Sequence, residues 1–501
     1  MSLASLFSTP LFETLADLSE DRKIWLVGGA LRDHFMGRTA IDLDFAVEQD
    51  ARKLARRYAD VIGGKYFDLD RERDTGRVIL LQHDGGRRVI DFARLRGRNI
   101  QSDLLDRDFT INALAVPLGS PDELIDPTEG LQDLRDGILR SCHPNAFQRD
   151  PVRVLRVVRI AMQFHFRIEA KTLQQARHAL EGLAQISSER IRDELMRMLA
   201  LQRPARALRV LDHMGGLKFI LPELDALKGI QQPASHDYDA WEHSLAVVDR
   251  LSHLLSVLVD DPDPDESGNL VLAQASGALG RFRDALRKHL DIELSVGRSA
   301  KQLLILAALY HDVGKGAMRG IGIQEEAAFH GHENRGAEMI MARAEALHLS
   351  RVEIERLGLI VQHHMRLEWL ERENLITARA VYRFYRQARE AGVDSILVSL
   401  ADCLGKFASG VPEDIWKMRV ETARILLSAF LENRNQDVDP EPLLRGSDLI
   451  TELELNPGPR VGYLLEAIRE AQACKEINTY DEAIDLAREL IKGEENQQSG
   501  R

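Results

Sequence analysis

The stretch Val27-Gly28-Gly29-Ala30-Leu31-Arg32-Asp33, followed by Asp42-Leu43-Asp44, decides the reading of this chain. The apolar run Ile24–Val27 before it has the composition of a strand, and the residues after the glycines have that of a helix. Two glycines at such a junction let backbone approach a phosphate group closely, the helix start offers free N–H groups, and Arg32 adds charge. Asp42-Leu43-Asp44 opens the next apolar run. Side chains alternate along a strand, so Asp42 and Asp44 would share one face while Leu43 turns into the core. Two convergent carboxylates can hold a pair of Mg²⁺ ions. The spacing alone fits a solvent-facing acidic strand edge equally well.

Outward from this stretch, the first 140 residues read as mixed α/β, with further strands expected at Val78–Gln82 and Val89–Ala93 beside those at Ile24–Val27 and Leu43–Val47. From about 141 the apolar residues recur at three- and four-residue spacing, and helix is expected nearly throughout. An acidic, turn-rich loop at 260–269 and a polar break at 432–442 interrupt this pattern, and the terminal GEENQQSGR is expected to be disordered.

At 501 residues the chain should form three or four domains of roughly 150 residues each. Three widely spaced cysteines, Cys142, Cys403 and Cys474, argue against a disulfide framework or a cysteine zinc site and fit a reducing cytoplasm. Pro10, Glu13 and Asp17 break any signal-peptide core, and no apolar run reaches the ~20 residues of a membrane helix, so a soluble cytoplasmic protein is expected. The formal net charge of −13 would disfavour a nucleic-acid partner, but residues 149–209 carry twelve Arg and one Lys against two Asp and four Glu. A locally basic stretch can grip phosphates, because screening limits the reach of distant charge.

Further motifs follow in order: Asp106-Arg107-Asp108-Phe109-Thr110-Ile111-Asn112-Ala113, then Asp126-Pro127 to Gly130-Leu131-Gln132-Asp133-Leu134. After them come Arg149-Asp150-Pro151-Val152-Arg153-Val154-Leu155-Arg156-Val157-Val158-Arg159 and Ser188-Glu189-Arg190-Ile191 with Glu194. This series resembles the class II tRNA nucleotidyltransferases, the group of CCA-adding enzymes and bacterial poly(A) polymerases. The resemblance implies that Asp42 and Asp44 are catalytic and hold Mg²⁺, and that Gly29, Arg32 and Arg107 bind the nucleotide. It further implies that Asp150, Arg153, Arg156 and Arg159 form a helix that reads the base and holds phosphates. Asp150 and Arg153, three apart on a helix, would project side by side. An acceptor beside a guanidinium fork suits the amine of cytosine or adenine, whereas uracil and guanine present a carbonyl there, a mismatch of about 1–3 kcal/mol.

The chain departs from the family pattern at two positions. Arg149 stands where the family usually has Glu, which leaves open how Arg153 is oriented, and Asp106 stands where an arginine is common. Only thirteen residues separate Arg94 from Asp108. Complete CCA-adding members usually have a longer flexible loop there, so the short connection resembles CC-adding members or poly(A) polymerases.

Histidines cluster later: His243, His311-Asp312, His332, His363-His364 and then Asp402. The stretch Leu309 to Gly316 and the order H…HD…H…HH…D resemble the dinuclear HD phosphohydrolases. Imidazoles with carboxylates suit Mn²⁺, Fe²⁺ or Ni²⁺, a metal-activated water could attack a phosphoester, and Lys315 could steady the phosphate. A structural metal site fits the same residues, the choice between His363 and His364 is open, and His330 competes with His332.

The expected architecture is α+β: an α/β nucleotidyltransferase head (1–140), a helical neck (141–235), a helical HD domain (236–415) and a helical tail (416–501). The expected function is template-independent addition of C and/or A to tRNA from CTP and ATP, with release of pyrophosphate and no membrane partner. Three alternatives stand beside it: a poly(A) polymerase, an HD-domain phosphodiesterase or phosphatase, and a non-catalytic tRNA-binding protein. Oligomeric state is not legible.

Overall fold

Alternation along the first strands sorts their side chains onto two faces of one sheet. In β1 (Ile24–Val27), Ile24 and Leu26 enter one apolar core while Trp25 and Val27 enter another. In β2 (Leu43–Val47), Leu43, Phe45 and Val47 join the first core and Ala46 the second. Asp44 shares the parity of Ala46, so it faces away from the larger core, as the DLD spacing requires. The computed structural model describes residues 3–499 except 21, 41, 82–85, 232–237, 261–268, 319–330, 373–375 and 409.

The sheet is completed by β3 (Lys65–Asp70), β4 (Thr75–Leu81), β5 (Arg87–Arg94) and β6 (Ala115–Pro117), in the order β3-β4-β5-β2-β1-β6. Neighbours are antiparallel except β2 and β5, whose parallel register sets Asp44 opposite Asp91. Helices Pro10–Leu18 and Ala51–Ile62 cover the larger core through Leu15, Leu54 and Tyr58. Strand β3 was not anticipated because most of its side chains are exposed, and β6 because it is three residues long. Beyond 141, helix dominates as expected, apart from short pairings such as Ile138–Leu139 with Arg167–Ile168.

The chain forms two compact units, Met1–Glu194 with Val210–Ile220, and Leu195–Arg209 with Leu221–Arg501. The second contains the long helices Ala240–Leu258, Ala300–Tyr310, Arg351–His363, Ala391–Gly405 and Glu413–Leu431. Ala391–Gly405 is buried at every position, which makes it a core helix whose polar residues, Asp394 and Asp402 among them, need internal partners. Helices Gly446–Glu452, Pro459–Ala473 and Tyr480–Ser499 enclose a smaller core around Leu449, Leu464 and Ala483.

One expectation is corrected here: the residues of GEENQQSGR up to Ser499 continue the last helix rather than being disordered. Glu and Gln are good helix formers and extend a helix already anchored by Ile484 and Ala487. The polar break at 432–442 contains a single π-helical turn, Arg434–Val438. Most of the 260–269 loop, Gln82 and His330 lie outside the described residues.

Candidate active site and metal centre

The Gly28-Gly29 turn shapes the floor of a cavity of about 490 Å³ in the first unit. Gly28 has φ +77°, a backbone conformation that strains any residue with a side chain, and a Cβ there would stand 2.9 Å from Arg107 Nη1, which would have to shift. Asp44 keeps a surface open to this cavity. Its carboxyl is nevertheless pushed up to about 6, first by desolvation and then by Asp91, against the opposing pull of Arg107. Asp42 adds to the upward push, so three carboxylates crowd one region and a cation would relieve their repulsion. Asp91 is itself held by two 2.8 Å bonds from Arg77.

Around the same cavity, Arg32 donates to Asn112 Oδ1 at 2.8 Å and lies over the Phe164 ring at 4.4 Å. Arg107 approaches Asp103 at 3.4 Å. Asp108 is buried, receives Asn112 Nδ2 at 3.1 Å and lies 3.1 Å from Arg156. Burial alone would raise its carboxyl, but Arg156 and these hydrogen bonds hold it below the usual range.

Asp150 and Arg153 meet in the cavity by a different route from the helix expected. Asp150 ends the short helix Ala146–Arg149 in an extended conformation, because the following Pro151 disfavours helical backbone before it. The next helix begins only at Arg153, whose N–H caps back to Asp150 O at 3.1 Å. Arg153 is oriented by backbone carbonyls: Nη2 donates to Asp106 O at 3.1 Å, and Nη1 to Arg107 O at 3.3 Å and Ala146 O at 3.4 Å. Asp150 Oδ2 accepts from Arg190 at 2.8 Å, while its Oδ1 is shielded from solvent with no hydrogen-bond partner. The two departures from the family pattern meet, since Arg149 pairs with Asp106. Arg159 does not line the cavity; it pairs with Glu194 at 2.8 Å, which also faces Arg156. A broader cavity of about 1050 Å³ overlaps it, sharing Asp150, Arg153, Arg73, Arg94, Arg96 and Arg190, and adds Arg98 and Arg149.

The motif from Asp126 to Leu134 is structural. Asp126 accepts from the N–H groups of Gly130 and Leu131 at 2.8 and 2.9 Å, and a Cβ at Gly130 would fall 2.0 Å from Thr110 O.

In the second unit, two triads have ligand atoms close enough to share metal ions: His243, His311 and Asp402, and Asp312, His332 and His364. Each of three histidines turns Nδ1 toward a backbone carbonyl, His243 to Gly405 O at 3.3 Å, His311 to Ala308 O at 2.8 Å and His364 to Val361 O at 2.6 Å. A proton placed on Nδ1 leaves the Nε2 lone pair for a cation. His364 Nε2 is buried without a hydrogen-bond partner, and burial followed by the neighbouring His311 and His332 lowers His364 to about 3, a neutral ligand-ready ring. Burial lowers His243 as well, whereas Asp312 and its hydrogen bond outweigh burial at His311 and raise it. Asp312 and Asp402 stay well below the usual range despite burial, held by Lys315 and Lys406 together with the imidazoles. These donors fit a cation. His363 falls outside both triads, and Lys315 sits on Asp312 Oδ2 at 2.6 Å rather than standing ready for a phosphate.

Family comparison agrees with this geometry. The poly A polymerase head domain matches residues 24–140, the probable RNA- and SrmB-binding site of polymerase A matches 165–228, and the HD domain matches 280–405. A CC-adding tRNA nucleotidyltransferase of Geobacter sulfurreducens is 30% identical over 485 residues, covering 96% of this chain and 95% of that protein. An A-adding tRNA nucleotidyltransferase of Deinococcus radiodurans is 32% identical, covering 91% and 93%. The chain belongs to the tRNA nucleotidyltransferase family.

Solved structures share the fold of this nucleotidyltransferase: a CCA-adding enzyme in complex with ATP has a TM-score of 0.61 at 20% identity, covering 98% of both chains. The Thermotoga maritima CCA-adding enzyme complexed with tRNA has a TM-score of 0.56 at 20% identity, covering 98% and 99%. In the first unit of this nucleotidyltransferase, the structure brings Gly29, Arg32, Asp44, Arg107, Asp150, Arg153 and Arg156 to one cavity, with Asp42 near Asp44 and Arg159 outside the lining. Sequence reasoning missed Asp91, whose signal was an acid inside the apolar run Val89–Ala93, and the arginines of Arg94-Leu95-Arg96-Gly97-Arg98. It also missed Lys406 and Glu368, which pair at 2.8 Å beside Asp402.

Proposed function

We propose that this tRNA nucleotidyltransferase extends tRNA 3′ ends with C and/or A from CTP and ATP, choosing the nucleotide with protein side chains in place of a template strand. The observation that carries the base-reading step is Asp150 Oδ1, an acceptor withdrawn from water with no partner, in the same cavity as Asp44. It would accept the amine of cytosine or adenine, while the Arg153 fork, fixed by three carbonyls, meets the neighbouring ring acceptor. Arg32, Arg107 and Arg156 face the triphosphate, and Arg159 holds Glu194 so that Arg156 stays in place. Asp42 and Asp44, with Asp91 beside them, would hold Mg²⁺, which would supply positive charge for the 3′-hydroxyl and the leaving pyrophosphate. The overlapping arginine-lined cavity would take the acceptor strand by its phosphates.

The 95–107 connection supports partial over complete addition. It holds a capped helix, Ile100–Leu105, in which Asn99 and Ser102 bond reciprocally, leaving little slack for a change of shape between nucleotides. The test is a gel assay on tRNAs ending before, within and just short of CCA, with each nucleotide alone and CTP with ATP together. Arrest after two C supports this reading, and completion of CCA would overturn the inference from the connection. A long A ladder on general RNA would make the protein a poly(A) polymerase. Retained tRNA binding with no incorporation would make it a non-catalytic binder.

A second reading rests on the Nδ1-anchored histidines: the HD triads hold a transition metal such as Mn²⁺, Fe²⁺ or Ni²⁺ and support phosphoester hydrolysis. Asp44→Ala should abolish transfer and spare hydrolysis, and Asp312→Ala should do the reverse. No helix among the described residues is long and apolar enough to cross a membrane. The three free cysteines support a cytoplasmic location.

A further inference from the structure

The second unit contains a cavity of about 410 Å³, within the ~300–1,000 Å³ range of small-molecule sites. None of its lining residues belongs to the HD triads. One wall is apolar and aromatic, with Leu359 and Val438 beside the rings of Tyr382, Tyr385 and Phe430. The opposite character comes from five guanidinium groups set against three carboxylates, Glu355, Glu390 and Asp439.

Three of the arginines are already matched. Arg386 bonds Glu466 at 2.7 Å, Arg389 bonds Glu355 at 2.6 Å, and Arg434 lies 3.5 Å from Glu390 while covering the Phe430 ring at 4.7 Å. Two remain with unused capacity. Arg469 makes no hydrogen bond among the described residues and acts on Tyr382 and Glu466 only through its charge. Arg356 is 7% exposed. Its Nη2 is taken by His289 and Asp394, both at 2.7 Å, but its buried Nε has no partner. A buried, unsatisfied guanidinium N–H costs stability unless something accepts from it.

We propose that this cavity binds a nucleoside monophosphate, at a site separate from the polymerising head and the HD triads. The phosphate would lie between Arg469, whose charge it would balance, and the unpartnered Nε–H of Arg356, whose own charge already faces Asp394. The base would lie against the aromatic wall, as rings and guanidinium planes stack. Glu390 and Asp439 at the rim offer acceptors to the ribose hydroxyls and the base amine. A plain inorganic anion would leave the aromatic wall unused, and an apolar ligand would leave the arginines unmatched.

The test is photolabelling of the full-length wild-type chain with 8-azido-adenosine 5′-monophosphate, followed by peptide mapping. Label is expected within residues 378–391 or 430–440, displaced by unlabelled AMP. Arg469→Glu should cut that label at least about tenfold, because the exchanged charge repels the phosphate, while labelling of the head peptides continues. Since Arg469 is only partly buried, the variant should fold, and an unchanged melting curve checks this. Val438→Trp, which fills the cavity, should block the same label. Label confined to the head or to the HD peptides overturns the proposal, and so does label in the cavity that survives both substitutions.

Discussion

Asp106 and Arg149 show what a single residue can and cannot reveal. In the sequence each is an isolated departure from the family pattern, and the Arg149 departure leaves the orientation of Arg153 open. In the structure they form one ion pair, and the carbonyl of Asp106 is among those that hold Arg153. Both side chains are about half exposed, so their coupling should be no more than about 1 kcal/mol. We predict that Asp106→Arg and Arg149→Glu each lower kcat/KM for CTP, by about threefold to fivefold. The double exchange should recover most of the loss, as a double-mutant cycle would show.

Asp108 lends itself to a pH measurement. Its folded carboxyl lies below the ordinary aspartate value of about 3.8, so its contribution to stability is present above that value and is lost as pH falls through the folded value. Asp108→Asn should therefore be less stable than wild type by about 1–2 kcal/mol at neutral pH, the loss being limited because Arg156 is 38% exposed and still faces Glu194. Denaturant melts should show this gap constant from pH 8 to 5 and narrowing below about pH 4.

Elements were legible where a physical rule acts over a short stretch. β1 and β2 fell where apolar runs predicted them, and alternation placed Asp44 and Leu43 on opposite faces. The helix supposed to carry Asp150 was misjudged because the constraint before Pro151 outweighs the periodicity around it. Strand β3 was illegible since an edge strand with little burial has no apolar alternation to show. The capped helix Ile100–Leu105 was missed inside a segment read only by its length. Asn99→Ala should cost about 1 kcal/mol in thermal or denaturant melts through loss of the cap. Gly130→Ala should cost about 1–3 kcal/mol or more, since its Cβ would collide with the Thr110 carbonyl, which cannot swing away as a side chain could.

At the scale of the whole molecule, motif order carried the family and the division between an α/β start and a helical remainder. It could not supply the joining of Asp91 to Asp44 across a parallel register, the choice of His364 over His363, or the engagement of Lys315 with Asp312, because each depends on long-range packing. If the HD triads bind a metal in the native protein, dialysis against a chelator should lower the melting temperature of the second unit. The loss should correspond to about 3–4 kcal/mol for a site previously saturated several hundredfold over its Kd, and be restored by Mn²⁺ or Ni²⁺ but not by Mg²⁺.

The central claim is that Asp150 reads the incoming base, and the ratio of kcat/KM for CTP over UTP on a tRNA lacking its CCA end tests it most directly. The wild-type protein should prefer CTP by about 5- to 160-fold, the ratio corresponding to 1–3 kcal/mol. Asp150→Asn can turn an amide donor toward a carbonyl, so it should collapse that ratio toward unity mainly by losing CTP transfer. A ratio unchanged in Asp150→Asn would contradict the account and place base selection elsewhere in the chain.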